Sequence, residues 1–204
     1  MNGLAARYFH PSNLLTYLSV LAGLCAIFSA QKLQSWPVAG GLIAVCALAD
    51  TFDGKFARLF KRSESLKDFG IQLDSLADAL TFGLVPVVCL SLLLSFESAA
   101  SYIMWCAAAF FYVISAITRL GAYNLHHAEN HEFVGLPTTV AGLIWSSMFL
   151  AQPSVIPSVI LLIACGIAMV SPVRVPRPKG PVMIAFVAWP ILLMALHGFQ
   201  AGSR

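Results

Sequence analysis

The sequence predicts an all-α polytopic membrane protein, with about six to seven transmembrane helices behind an N-terminal amphipathic segment. It reads as a single integral-membrane domain over residues 1–204. Hydrophobic residues make up 59% of the chain and charged residues 10%, where a soluble domain carries about a quarter charged. The mean hydropathy is +0.82, and apolar runs of spanning length recur along the whole chain between short polar turns. That leaves no room for a sizeable soluble module. Cys25, Cys46, Cys89, Cys106 and Cys165 lie singly in apolar runs, so neither a disulfide framework nor a zinc site is indicated.

Taken in order, Met1 to Asn13 sets Leu4, Tyr8 and Phe9 beside Arg7 and His10, an amphipathic pattern closed by Pro11 and a Ser12/Asn13 cap. The run Leu14 to Ala30 follows a basic residue, as a secretory signal would. Phe28 occupies the position where cleavage needs a small side chain, so a retained first helix is expected. Further spans are expected at Val38 to Phe60, Phe69 to Leu94, Ala99 to Leu120, Thr138 to Ala151, Val155 to Val170 and Val182 to His197. Pro86, Pro157 and Pro190 fall within or near these spans, where neighbouring helices can satisfy the freed backbone groups.

With seven spans and the N-terminus inside, Arg7, Lys55, Arg58, Lys61, Arg62, Lys67, Arg119, Arg174, Arg177 and Lys179 share one side, and Lys32 and Arg204 the other. By the positive-inside rule the first side is cytoplasmic. The turn between the second and third spans, with Lys61, Arg62, Glu64, Lys67 and Asp68, reads as a solvated loop. Arg174, Arg177 and Lys179 either set topology or attract anionic lipid. Trp36, Trp105, Trp145 and Trp189 read as interface anchors or packing residues.

The chemistry is concentrated between Asp50 and Asp78. At about 100° per residue, Asp50, Asp53, Gly54 and Ala57 fall within about a third of a helix circumference, with Arg58 at its edge. Asp74 and Asp78, four apart, stack on one face of the next helix together with Gly70 and Ala77. Two helices can therefore aim Asp50, Asp53, Asp74 and Asp78 at one point. Insertion scales charge about 2.5–3.5 kcal/mol for an aspartate at the centre of a span, and mutually repelling carboxylates there call for a cation between them. Hard oxygen ligands suit Mg²⁺, Mn²⁺ or Ca²⁺, and two ions answer four carboxylates. An ion channel or transporter would also use such acids as a path. It gives no role to Gly54, Ala57, Arg58 and Gly70, and no internal repeat or inverted pair of interrupted helices is present.

The stretch reads D-x2-D-G-x2-A-R-x11-G-x3-D-x3-D, which resembles the signature of the CDP-alcohol phosphotransferase family, whose members more commonly have eight or nine residues before the second glycine. The resemblance is nearest to its bacterial phosphatidylserine synthase branch. It continues in L-D-S-L-A-D at Leu73 to Asp78, F-G-L-V-P at Phe82 to Pro86, R-L-G-A-Y-N at Arg119 to Asn124, F-V-G-L-P at Phe133 to Pro137 and M-V-S at Met169 to Ser171. Two positions depart from the branch. Ala122 stands where a second basic residue is common, and Thr139 where a proline is common.

The resemblance implies transfer of a phosphatidyl group from CDP-diacylglycerol to the hydroxyl of L-serine, with release of CMP, at a bacterial inner (plasma) membrane. Glycerol phosphate, inositol phosphate or choline are the acceptors of sibling enzymes. It implies two divalent cations, Mg²⁺ or Mn²⁺, on Asp50, Asp53, Asp74 and Asp78, with Asp78 also the general base. It further implies that Gly54, Ala57 and Gly70 let the cytidine and ribose approach backbone, that Arg58 braces a phosphate, and that the chain forms a homodimer. For the acceptor, Arg119 is the candidate for the serine carboxylate, with Tyr123 or Asn124 assisting; the alternative is that Arg119 snorkels to lipid headgroups. His126, His127 and His131 with Glu129 and Glu132 read as a polar interfacial loop over the site rather than a metal cluster. No stretch suits nucleic acid.

The charge asymmetry makes a direct prediction. With the five native cysteines replaced by serine, a membrane-impermeant thiol reagent applied to intact cells is expected to label Lys32→Cys and to spare Lys61→Cys.

Overall fold

The computed structural model describes residues 8–126, 133–175 and 181–203. A 3-10 turn, Pro11–Asn13, leads into α1 (Leu14–Leu33) and α2 (Trp36–Ala57). The third rod is continuous: α3 (Glu64–Asp78), a π-helical segment (Ala79–Leu84) and α4 (Val85–Leu93). Then come α5 (Ala99–His126), α6 (Thr138–Leu150), α7 (Val155–Val170) and α8 (Pro181–Gly202). Two-residue strands, β1 (Phe133–Val134) and β2 (Arg174–Val175), pair antiparallel with Phe133 opposite Val175. Among the described residues five helical stretches are long and apolar enough to cross a membrane, and α6 and α7 are shorter apolar helices. On α7, Ile156, Ile160, Ile163 and Ile167 stand exposed at helical spacing, the stripe expected to face lipid tails.

Of the seven expected spans, five are found among the described residues as long apolar helices with shifted ends, and the fifth and sixth as the shorter helices α6 and α7. The second stops at Ala57, and α3 starts at Glu64 rather than Phe69, so the solvated loop is shorter than expected and Lys67 and Asp68 are helical. Ser63 takes the N-cap position and Glu64 lies in the first turn, where an acidic side chain favours helix initiation. Hydropathy does not register a polar helix end, although it propagates as readily as an apolar one. α5 likewise runs on to His126, which keeps Arg119, Tyr123 and Asn124 on a helix. Residues 1–7 of the N-terminal amphipathic segment lie outside the described residues, as do His127, Glu129, His131, Glu132, Arg177 and Lys179. From Tyr8 onward the segment packs over the start of the third rod, with the Tyr8 and Phe69 rings 4.6 Å apart.

Small and polar residues set the helix registers. α1 and α2 are joined by Ser19 Oγ donating to the Cys46 carbonyl (3.4 Å) and Cys46 Sγ to the Ser19 carbonyl (3.2 Å). Thr16, one turn nearer the N-terminus, thereby comes level with Asp53. α6 lies against the π-helical segment because Gly142 has no side chain: a Cβ there would strike the Phe82 ring. Trp145 and Trp105 are buried, so packing is the correct reading for these two. At the far end His197 fills the space left by Gly40 and bonds the Ser146 carbonyl at 2.9 Å.

Pro86 follows the π-helical segment of the third rod. It has no N–H to donate to the carbonyl four residues earlier, that of Phe82. The buried Tyr112 hydroxyl of α5 donates to this oxygen instead, at 2.6 Å. A π-helical turn at such a point shifts the helix phase just after Asp78. Tyr112→Phe should leave a buried carbonyl unpaired and destabilise the protein by about 1–3 kcal/mol, read as a lower midpoint of thermal unfolding in detergent.

Candidate active site

The carboxylates of α2 and α3 meet. Asp50, Asp74 and Asp78 each present an oxygen within 4.8 Å of the others. Asp53 stands outside that trio but within hydrogen-bonding reach of Asp74, as Asp50 does of Asp78. All four are half-buried. Unit charges about 4 Å apart interact by about 4 kcal/mol at an effective dielectric of 20, so the cluster is strongly repulsive in isolation. Arg119 of α5, 7% exposed, lies within electrostatic reach of Asp78 and Asp50. One guanidinium does not balance four carboxylates. The all-oxygen donor set fits hard divalent cations, with Asp50, Asp74 and Asp78 as the tightest trio.

Three threonine hydroxyls orient these groups. Thr139 Oγ1 donates to Asp50 Oδ2 at 2.6 Å, Thr138 Oγ1 to Asp78 Oδ2 at 3.3 Å, and Thr16 Oγ1 to Asp53 Oδ2 at 3.2 Å. Thr138 and Thr139 are almost fully buried and reach the aspartates because Gly142, one turn on, lets α6 close against Phe82, itself one turn past Asp78. Sequence reasoning missed all three. The only signal was the threonine at 139 where the resembling branch commonly has proline, a residue without a hydroxyl.

Beside the carboxylates opens a cleft of ≈ 280 Å³ lined by Asp53, Gly54, Ala57, Gly70 and Asp74, with Ser12, Asn13, Thr16, Arg62, Lys67 and Ile71 completing its wall. A Cβ at Gly54 would meet nothing within 4 Å, so that face is open. Gly70 faces Arg62 Nη1 and Asn13 Oδ1, at 3.3 and 3.7 Å from an added Cβ. Arg58, the C-cap of α2, is exposed and absent from the cleft wall. Arg62 and Lys67, read from sequence as part of a solvated turn, both line the cleft; Arg62 folds over Gly70 from the turn before α3, and Lys67 stands on the early first turn of α3.

On the opposite side of α3, Ser75 Oγ donates to Asn124 Oδ1 at 3.0 Å, and the Arg119 guanidinium lies 5.2 Å from the Tyr123 ring centre. Asn124 is therefore bonded to the carboxylate helix, Arg119 lies within electrostatic reach of Asp78, and Tyr123 packs against Arg119. Arg119 is too buried to be reaching out to lipid headgroups. The side chain of His126 is outside the described set.

A profile of the CDP-alcohol phosphatidyltransferase family matches residues 9–171. The chain belongs to this family. It is 32% identical over 141 residues to a Helicobacter pylori protein named CDP-diacylglycerol--serine O-phosphatidyltransferase, covering 67% of this chain and 55% of that one. A protein of the same name from Methanocaldococcus jannaschii is 28% identical over 177 residues, 87% of this chain and 79% of that one. An archaetidylserine synthase of Methanothermobacter thermautotrophicus is 29% identical over 165 residues, 80% and 65% of the two chains. The chain thus spans only about half the length of the Helicobacter relative.

If the Thr139 bond holds Asp50 in a metal-binding orientation, Thr139→Val should weaken metal affinity by about 10–100-fold. The check is the Mn²⁺ concentration that gives half-maximal protection against thermal unfolding.

Proposed function

We propose that this chain is a phosphatidyltransferase that moves the phosphatidyl group of CDP-diacylglycerol to the hydroxyl of L-serine and releases CMP. The observation that carries the reading is the juxtaposition of the carboxylate cluster with a cleft floored by Gly54, Ala57 and Gly70. A diphosphate can sit at the acids while the nucleoside lies against bare backbone. The names of the Helicobacter and Methanocaldococcus relatives support serine as acceptor.

In this reading Asp50, Asp53, Asp74 and Asp78 hold two divalent cations, Mg²⁺ or Mn²⁺, which when bound supply charge neutralisation at the diphosphate and the departing CMP. Asp78 takes the proton of the acceptor hydroxyl as its oxygen attacks the phosphorus bearing the lipid. The P–O bond to CMP breaks and its electron pair leaves with the nucleotide. A carboxylate so close to a metal is a weak base, so the rate depends on how closely the hydroxyl is held to it. The Thr138 hydroxyl on Asp78 Oδ2 limits the carboxylate's rotation. Arg119 binds the serine carboxylate from the α5 side, oriented by Tyr123, with Asn124 anchored through Ser75. Arg58, the exposed C-cap of α2 next to the cleft residue Ala57, is kept as a phosphate contact of the bound donor. The site faces the cytoplasm of a bacterial inner membrane, where free serine and a lipid-borne donor both reach it. The chain works as a homodimer.

Purified protein in detergent, given CDP-diacylglycerol and Mn²⁺, should release CMP on addition of serine and not with glycerol phosphate, inositol phosphate or choline. Asp78→Asn should lower that rate at least about a hundredfold. Release with another acceptor instead would keep the transferase and overturn serine, pointing to Ala122 and Thr139 as the positions that redirect it.

A further inference from the structure

We infer that Arg62 is a donor-binding residue whose guanidinium seats the nucleotide-side phosphate of a CDP-linked donor. The inference rests on the reading of the cleft as the seat of such a donor. The cations near this end of the bundle differ in their surroundings. Lys61 and Arg58 are exposed and outside the cleft wall. Lys67 reaches the cleft but is ion-paired to Glu64 at 2.7 Å. Arg62 is half-buried, lines the cleft and, among the described residues, has neither an ion pair nor a hydrogen bond.

Its placement follows from the turn. Arg62 directly precedes Ser63, the N-cap of α3, and its side chain folds back over the second turn of the helix, with Nη1 3.3 Å from where a Gly70 Cβ would lie. Gly70 precedes Asp74 by four residues, about 6 Å along the helix. The guanidinium therefore stands one turn outward of the carboxylates, on the same wall of the same cleft. A diphosphate engaged at the acids and continuing outward into a nucleoside must pass it. A planar fork of N–H donors, half withdrawn from water and lacking an anionic partner, is matched to phosphate oxygens and poorly matched to an uncharged base or sugar.

The experiment measures binding of CMP and of cytidine, by calorimetry with Mn²⁺ present, together with the donor KM, in wild type, Arg62→Ala, Arg62→Lys and Lys61→Ala. Arg62→Ala is expected to weaken CMP at least tenfold and raise the donor KM similarly while leaving cytidine within twofold. Arg62→Lys should recover part of the loss, and Lys61→Ala, which removes the same charge, should stay within twofold of wild type. Matching thermal unfolding midpoints establish that the variants are folded. CMP affinity unchanged in Arg62→Ala overturns the inference while the transferase reading stands; so does equal weakening of CMP and cytidine, which would make Arg62 a nucleoside contact, or an equal effect of Lys61→Ala, which would make the effect a general one of charge. A wild type that binds CMP through Arg62 yet releases none with any acceptor would instead overturn the transferase reading alone.

Discussion

The repulsion among Asp50, Asp53, Asp74 and Asp78 is the constraint to which the rest of the fold answers. Gathering these groups at the end of a membrane bundle is unfavourable unless positive charge is placed among them. Among the described residues Arg119 is buried beside the cluster and threonine hydroxyls donate to it; in the proposed reading the remaining positive charge comes from bound divalent ions. In the proposed reading the same imbalance that destabilises the bare cluster draws divalent metal to it, and through the metal a diphosphate.

Holding such a cluster in register requires rigid supports, and the supports are small residues and backbone bonds rather than bulky cores. Gly142 lets α6 close on the Phe82 ring, which sets Thr138 and Thr139 on Asp78 and Asp50. Pro86 breaks the ladder of the third rod one turn past Phe82, and Tyr112 repairs it from α5. The whole rod from Glu64 to Leu93 is one candidate span, and the π-helical turn lies between α3, which carries Asp74 and Asp78, and α4. It lets the two halves satisfy different packing partners, with α3 facing the cleft and α4 the core.

Much of this was legible in the sequence. The apolar runs set the spans, and the i, i+3 and i, i+4 spacing of the aspartates already put them on facing surfaces, because helical periodicity is a local property. What escaped was non-local or polar. The threonine contacts join residues as far apart as positions 50 and 139, so no local pattern encodes them. Lys67 looked like part of a solvated turn because hydropathy cannot distinguish a polar helix extension from a loop, and Arg62, which does lie in the turn, folds back over the helix by a contact that no local pattern encodes. Arg58 carries the motif position, yet the guanidinium that faces the glycine wall belongs to Arg62, since the turn and the early start of α3 decide which side chain folds inward.

The most direct measurement of the central claim is the number and spacing of Mn²⁺ ions bound by the protein in detergent, by equilibrium binding together with electron paramagnetic resonance. The account predicts two ions per chain with the broadened spectrum of a close, spin-coupled pair, and loss of that pair in Asp74→Asn. No bound Mn²⁺, or a bound signal that Asp74→Asn leaves unchanged, would contradict it.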